Sequence, residues 1–181
     1  KLCQLMGGDV TASSKEGEGS CFEVNLLLEK GVASEKSMPK RSLEGLNVLI
    51  VDDNKTNLEV LSAQLSFWGV NVIEAMSGSQ ALEECETRSR NSQFPFFDVA
   101  LLDMQMPEMD GAELGKQLKA NNKYASMKLI MMTSMCQIGD TEFFANLGFS
   151  AYFSKPATAS DLYDALILVS EEYDILADTK T

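Results

Sequence analysis

Four short apolar runs, each closed by a residue able to do chemistry, constrain this chain more than any other feature. Val48-Leu49-Ile50-Val51 runs into Asp52-Asp53, and Val99-Ala100-Leu101-Leu102 runs into Asp103. Leu129-Ile130-Met131-Met132 runs into Thr133, and Ala151-Tyr152-Phe153-Ser154 into Lys155-Pro156. Such runs read as buried strands. In an open parallel sheet the strand C-termini share one edge, and such folds place their chemistry there. Three carboxylates, a hydroxyl and an ammonium on one edge suit a hard divalent cation and a phosphoryl group.

The segments between these runs have helical spacing. Strands are expected at about 47–52, 70–75, 97–102, 128–133 and 150–154, and helices at about 55–68, 78–89, 112–120, 139–147 and 160–172. Leu58, Leu61, Leu65 and Trp68 mark the first helix, which Gly69 stops. Ser160 can cap the last, with Leu162, Leu166 and Val169 facing inward. Alternating strands and helices predict a doubly wound α/β domain over residues 45–172. Right-handed crossovers place the strand ends on a common edge. The expected arrangement is a flavodoxin-like, five-stranded parallel sheet of order 2-1-3-4-5, with a crevice between the first and third strands. Residues 173–181 read as a polar tail.

The first thirty residues have a different character. Lys1 to Met6 reads as the end of an apolar helix stopped by Gly7-Gly8. A hairpin follows, with strands near 9–14 and 21–26 and Phe22, Val24 and Leu26 on one face. A helix and a hairpin cannot bury enough surface to stand alone. Residues 31–44 are polar, lack an apolar period and read as a linker. With Lys1 in first place, the sequence reads as a piece of a longer protein.

Composition excludes several classes. A net charge of -12 argues against nucleic-acid binding. No apolar run approaches the roughly 18–20 residues of a membrane span, so no membrane contact is expected of this piece. There is no histidine, which removes a Ser-His triad and any phosphohistidine of the chain's own and makes zinc improbable. Cys3, Cys21, Cys85 and Cys136 are scattered as free thiols of a reducing cytosol would be. Neither G-x-x-x-x-G-K-[ST] nor a strand-following G-x-G-x-x-G occurs, so the phosphoryl donor is something other than bound ATP.

The predicted strand order sets Asp52-Asp53 beside Asp103. Unit charges 4 Å apart repel by about 4 kcal/mol at an effective dielectric of 20, which a hard cation relieves. Mg²⁺ suits, because it needs few carboxylates and keeps waters for phosphate oxygens. Asp52-Asp53-Asn54 is equally suited to a turn and N-cap. Asp103 can act as a nucleophile that carries an acyl phosphate, or simply as a third metal ligand. Thr133 can donate a hydroxyl hydrogen bond to a phosphoryl oxygen, and Lys155 can set an ammonium against the same group. The Lys155-Pro156 bond has the option of a cis form.

Residues 46–172 resemble the receiver domain of two-component response regulators. The resemblance lies in Val48-Leu49-Ile50-Val51-Asp52-Asp53-Asn54, Leu102-Asp103-Met104-Gln105-Met106-Pro107-Glu108-Met109-Asp110-Gly111, Met132-Thr133-Ser134 and Ala151-Tyr152-Phe153-Ser154-Lys155-Pro156. It implies that Asp103 accepts a phosphoryl group from a partner phosphohistidine. Asp53, Asp103 and the Gln105 backbone carbonyl would then hold Mg²⁺, with Asp52 acting through water or directly. Thr133 and Tyr152 would be the switch residues. Residues 1–30 resemble the end of a histidine-kinase ATP-binding domain, through Met6-Gly7-Gly8 and Gly17-x-Gly19-Ser20-x-Phe22. Together they resemble a hybrid sensor histidine kinase, in which Asp53-Asn54-Lys55-Thr56-Asn57 is a frequent run.

The implied partners are the kinase's dimerisation domain, which bears the phosphodonor histidine and docks on helix 55–68, and a histidine phosphotransfer domain. The implied location is cytoplasmic, with a parent that is membrane-anchored in some cases. A dimer contact through residues 1–30 is a further expectation. Two other classes compete: a receiver-like docking module that is never phosphorylated, and an aspartate-nucleophile phosphatase of the haloacid-dehalogenase type. The latter wants an Asp two residues after its nucleophile, where this chain has Gln105.

Overall fold

Each apolar run becomes a strand whose successive side chains enter two different cores. Val48 and Ile50 of the first run, Val99 and Leu101 of the second, and Ile130 and Met132 of the third pack on one face of a sheet. Leu49 and Val51, Ala100 and Leu102, and Leu129 and Met131 pack on the other. Both faces are covered, so the strands need no polar alternation; this is the signature of a parallel sheet between helix layers.

The computed structural model describes residues 2–28, 42–91, 93, 95–134 and 140–178. The chain divides into two units, Lys1–Lys40 and Arg41–Thr181. In the first, helix α1 (Leu2–Leu5) precedes an antiparallel hairpin of β1 (Asp9–Lys15) and β2 (Gly19–Asn25). Register pairs Val10 with Val24 and Ala12 with Phe22, and Phe22 is 74% exposed. Nearly all of the expected linker, 31–41, lies outside the described residues.

The second unit alternates β3 (Asn47–Val51), α2 (Lys55–Phe67), β4 (Asn71–Ala75), α3 (Gly78–Arg90), β5 (Val99–Asp103), α4 (Gly111–Ala120), β6 (Lys128–Thr133), α5 (Asp140–Asn146), β7 (Ala151–Ser154) and α6 (Ala159–Asp178). All strands pair in parallel, in the order β4-β3-β5-β6-β7, which is the expected 2-1-3-4-5. Leu58 and Leu65 of α2 and Leu162, Leu166 and Val169 of α6 fill one core. Ala81 and Cys85 of α3, Leu114 and Leu118 of α4 and Phe144 of α5 fill the other.

Two expectations at the last helix need correction. Its cap is Thr158 rather than Ser160: the Thr158 hydroxyl accepts from the Asp161 amide at 3.2 Å, and the Asp161 carboxylate accepts from the Thr158 amide at 3.0 Å. This reciprocal pair satisfies two of the amides left open at a helix start. The helix also runs on to Asp178, through most of the expected tail at 173–181. The Glu-Glu-Tyr-Asp stretch lowered the hydropathy of that tail without removing its helix propensity. Cys136 and the start of the helix expected at 139–147 lie outside the described residues.

Candidate functional site

The C-terminal edge of the sheet takes its shape from where each strand stops. β3 ends at Val51, leaving Asp52 fully buried at the mouth and Asp53 exposed beside it. Asn54 caps α2, its side chain accepting from the Thr56 and Asn57 amides. The first turn of α2 therefore starts immediately behind the two aspartates, and its positive end favours their charge. Asp103 is the last residue of β5 and 5% exposed. The chain leaves it through Met104, whose amide donates to the Met132 carbonyl at 2.8 Å, and returns at Gly111, whose amide donates to the Met104 carbonyl at 3.2 Å. A Cβ at Gly111 would lie 2.3 Å from the Asp103 carbonyl oxygen. Only glycine permits that approach, so the loop after Asp103 can fold tightly over it.

Asp52, Asp53 and Asp103 each place a carboxylate oxygen within 4.8 Å of the other two. Lys155, which follows β7 across a cis bond to Pro156, enters this cluster. Its Nζ lies 2.7 Å from Asp52 Oδ2 and 2.9 Å from Asp103 Oδ1. An ammonium between two buried carboxylates offsets repulsion that the interior would otherwise not tolerate. The Lys155 amide donates to the Thr133 carbonyl at 2.7 Å, so the lysine is tied to the end of β6 as well. The Gln105 amide donates to Asp103 Oδ1 at 3.3 Å.

Thr133 closes β6 one register position beyond Met132, the partner of Asp103, and is 5% exposed. It therefore sits on the same edge as the acids. Tyr152 lies within β7, opposite Met131, with its ring 5.4 Å from that of Phe144 in α5. The edge thus collects Asp52, Asp53, Asp103, Thr133 and Lys155, with Tyr152 set two residues back from the end of its strand. Carboxylates at this spacing beside one ammonium fit a hard dication with few protein ligands, as Mg²⁺ requires.

One participant carried no individual role in the sequence. The Asn57 Nδ2 group donates to both oxygens of Asp52, at 3.1 Å each. Its signal was the spacing Asp52-x-Asn54-x-x-Asn57: a cap residue fixes the helix start, and the residue three further on points back over it.

The chain is thus a doubly wound, five-stranded α/β domain that gathers three acids and a strand-end lysine on the C-terminal edge of its sheet. Residues 48–167 match the response regulator receiver domain family, and the chain belongs to it. It is 27% identical over 178 residues to the autoinducer 2 sensor kinase/phosphatase LuxQ of Vibrio vulnificus strain YJ016, covering 95% of this chain and 20% of that protein. It is 29% identical over 168 residues to the aerobic respiration control sensor protein ArcB of Escherichia coli K12, covering 90% and 20%. The chain thus spans about one fifth of the length of these curated relatives and aligns with the receiver portions of hybrid sensor kinases. Among solved structures, the chemotaxis protein CheY4 of Vibrio cholerae superposes with a TM-score of 0.62 at 26% identity, over 69% of this chain and 98% of that one.

Proposed function

We propose that this chain is the phosphoacceptor module of a hybrid sensor histidine kinase and that it relays a phosphoryl group through Asp103. The observation that carries the reading is the Lys155 ammonium, 2.7 Å from Asp52 and 2.9 Å from Asp103, within a cluster that includes Asp53. An Asp103 carboxylate oxygen attacks the phosphorus of a partner phosphohistidine. The P–N bond breaks, and its electron pair stays on the imidazole. Asp53, Asp103 and the Gln105 carbonyl would hold Mg²⁺, with Asp52 acting through water or directly, and the ion would neutralise charge on the phosphoryl oxygens. Lys155 is already positioned on the acceptor side, so its charge needs no reorganisation when the new dianion forms. The chain would catalyse only its own phosphorylation and dephosphorylation.

Phosphorylation adds about -1.5 to -2 charges at Asp103. The Thr133 hydroxyl is then drawn toward the phosphoryl group, and Tyr152 follows into the space it leaves. Coupling of this kind is worth about 1–3 kcal/mol, enough to shift a population without rebuilding the fold.

The partner surface lies beside the acids. A groove of about 380 Å³ runs between α2 and the loop after β7, with Val60, Leu61 and Gln64 on one wall, Pro156 and Ala157 on the other, and Asp52 and Lys155 in its lining. Val60 is 61% exposed there and Phe67, two turns on, 79%. An apolar groove opening onto the acceptor carboxylate suits the histidine-bearing helix of a kinase dimerisation domain and, later, a histidine phosphotransfer domain. Residues 1–30 would be the end of the kinase's ATP-binding domain, and the exposed hairpin a contact between protomers. No described helix is long and apolar enough to cross a membrane. The proposed location is the cytoplasm, whatever anchors the parent.

Transfer from a radiolabelled, phosphorylated kinase dimerisation domain tests the reading. Label should pass to the wild type with Mg²⁺ and not to Asp103→Asn. Val60→Asp should slow transfer from the protein donor and leave labelling by acetyl phosphate intact. Failure of the wild type to accept from either donor, in the presence of Mg²⁺, would leave an unphosphorylated docking module as the surviving account.

A further inference from the structure

We infer that Asn57 is a positioning residue of the acidic site, acting through Asp52. This rests on the phosphoacceptor reading above and adds a residue to its machinery. A carboxylate offers about four lone-pair positions, and three donors share those of Asp52. Oδ1 accepts from the Asn54 amide at 2.9 Å and from Asn57 Nδ2 at 3.1 Å. Oδ2 accepts from Asn57 Nδ2 at 3.1 Å and from Lys155 Nζ at 2.7 Å.

Asn57 is the one donor of the three that touches both oxygens, so it holds the carboxylate from a single side chain. The Asn54 amide and the Lys155 ammonium each grip one oxygen, from two different parts of the chain. Asp52 is completely buried, and a buried charge must be held by donors rather than by water.

The consequence concerns the division of labour between two adjacent acids. With both oxygens of Asp52 already engaged by three donors, it contributes to a cation mainly by its charge, while exposed Asp53 offers its carboxylate for direct binding. Asn57 also competes for Asp52 against Lys155. By engaging Oδ2, it limits the hold of Asp52 on the ammonium and leaves Lys155 shared with Asp103. The capping geometry explains why this falls to position 57: Asn54 sets the first turn of α2, and Asn57 is the residue of that turn whose side chain reaches back to Asp52. Val60 and Gln64, further along α2, line the same groove but are not among the hydrogen-bond donors to Asp52.

The test is a double-mutant cycle on Mg²⁺ binding, read by isothermal titration calorimetry without any phosphodonor. Removing a partner that orients a metal-site carboxylate typically weakens binding about 10-fold or more. Asn57→Ala should therefore weaken Mg²⁺ by about 10-fold, whereas Gln64→Ala should not. In the Asp52→Asn background, Asn57→Ala should have no further effect, because the group it orients no longer carries the charge. The Mg²⁺-induced rise in melting temperature, measured over the same four proteins, gives an independent reading where binding is too weak for calorimetry. Additive losses, or full affinity in Asn57→Ala, would overturn the assignment while leaving the phosphoacceptor reading intact. A wild type that binds no Mg²⁺ would remove both.

Discussion

Replacing Lys155 by methionine should convert this domain from one that is stable without metal into one that depends on it. In the native arrangement the ammonium lies 2.7 Å from Asp52 and 2.9 Å from Asp103, and its side chain is only 21% exposed. Without it, two buried carboxylates with oxygens no more than 4.8 Å apart face one another with no cation between them. At that separation and an effective dielectric of 20, the repulsion is about 3.5 kcal/mol. Breaking a buried pair by removing one partner costs about 3–5 kcal/mol, so both routes give a loss of the same size.

Urea unfolding followed by the fluorescence of Trp68, whose ring meets Tyr163 edge-on at 5.2 Å, gives the assay. With a slope of about 2 kcal/mol per molar, Lys155→Met should lower the midpoint in chelator by about 1.5–2.5 M. Excess Mg²⁺ should recover most of that difference, because the dication takes over the neutralising role, and should stabilise the variant more than the wild type. An equal gap with and without Mg²⁺, or none in chelator, would show that Lys155 does not neutralise the acidic cluster and would refute the reasoning.

Other outcomes follow from the same packing. Gly111→Ala puts a methyl 2.3 Å from the Asp103 carbonyl oxygen; it should cost about 1–3 kcal/mol in urea unfolding and slow phosphorylation by moving the Asp103 loop. Leu58→Ala, at a side chain 1% exposed under the sheet, should cost about 2–5 kcal/mol without changing Mg²⁺ affinity in the folded protein. Burial, helped by the Glu84 charge, pushes the Cys85 thiol up to about 12. Between roughly pH 9 and that value the unfolded chain loses a proton that the native one keeps, so stability falls as pH rises. The wild type should lose stability more steeply than Cys85→Ala across that window, and Cys85 should resist thiol reagents until the chain unfolds.

Much of this architecture was legible because its strands are buried on both faces. Val48 to Val51, Val99 to Leu102 and Leu129 to Met132 announce themselves as uninterrupted apolar runs, and their alternation with helices gives a parallel sheet whose strand ends share one edge. The acids, the threonine and the lysine were legible for a related reason: a polar residue ending such a run sits at the sheet edge by geometry alone. What escaped was set by contacts across the chain rather than along it. The grip of Asn57 on Asp52 depends on the exact start of α2, and a polar residue in a first helical turn ordinarily signals nothing beyond a cap. That the Lys155 ammonium falls between Asp52 and Asp103 depends on contacts among three strands, which no local pattern specifies. The acidic C-terminal stretch of the last helix has the composition of a solvated tail, and Thr158 and Ser160, two residues apart, are chemically alike as caps, so neither boundary is legible from residue type alone.

The central claim is that Asp103 is the atom-level acceptor of a phosphoryl group. Acetyl phosphate with Mg²⁺, followed by borohydride reduction and tandem mass spectrometry, reads it directly. The expected result is an intact-mass gain of about 80 Da and, after reduction, homoserine at position 103. Homoserine at position 53 or 98 instead, or an unchanged mass in protein shown to bind Mg²⁺, would contradict it.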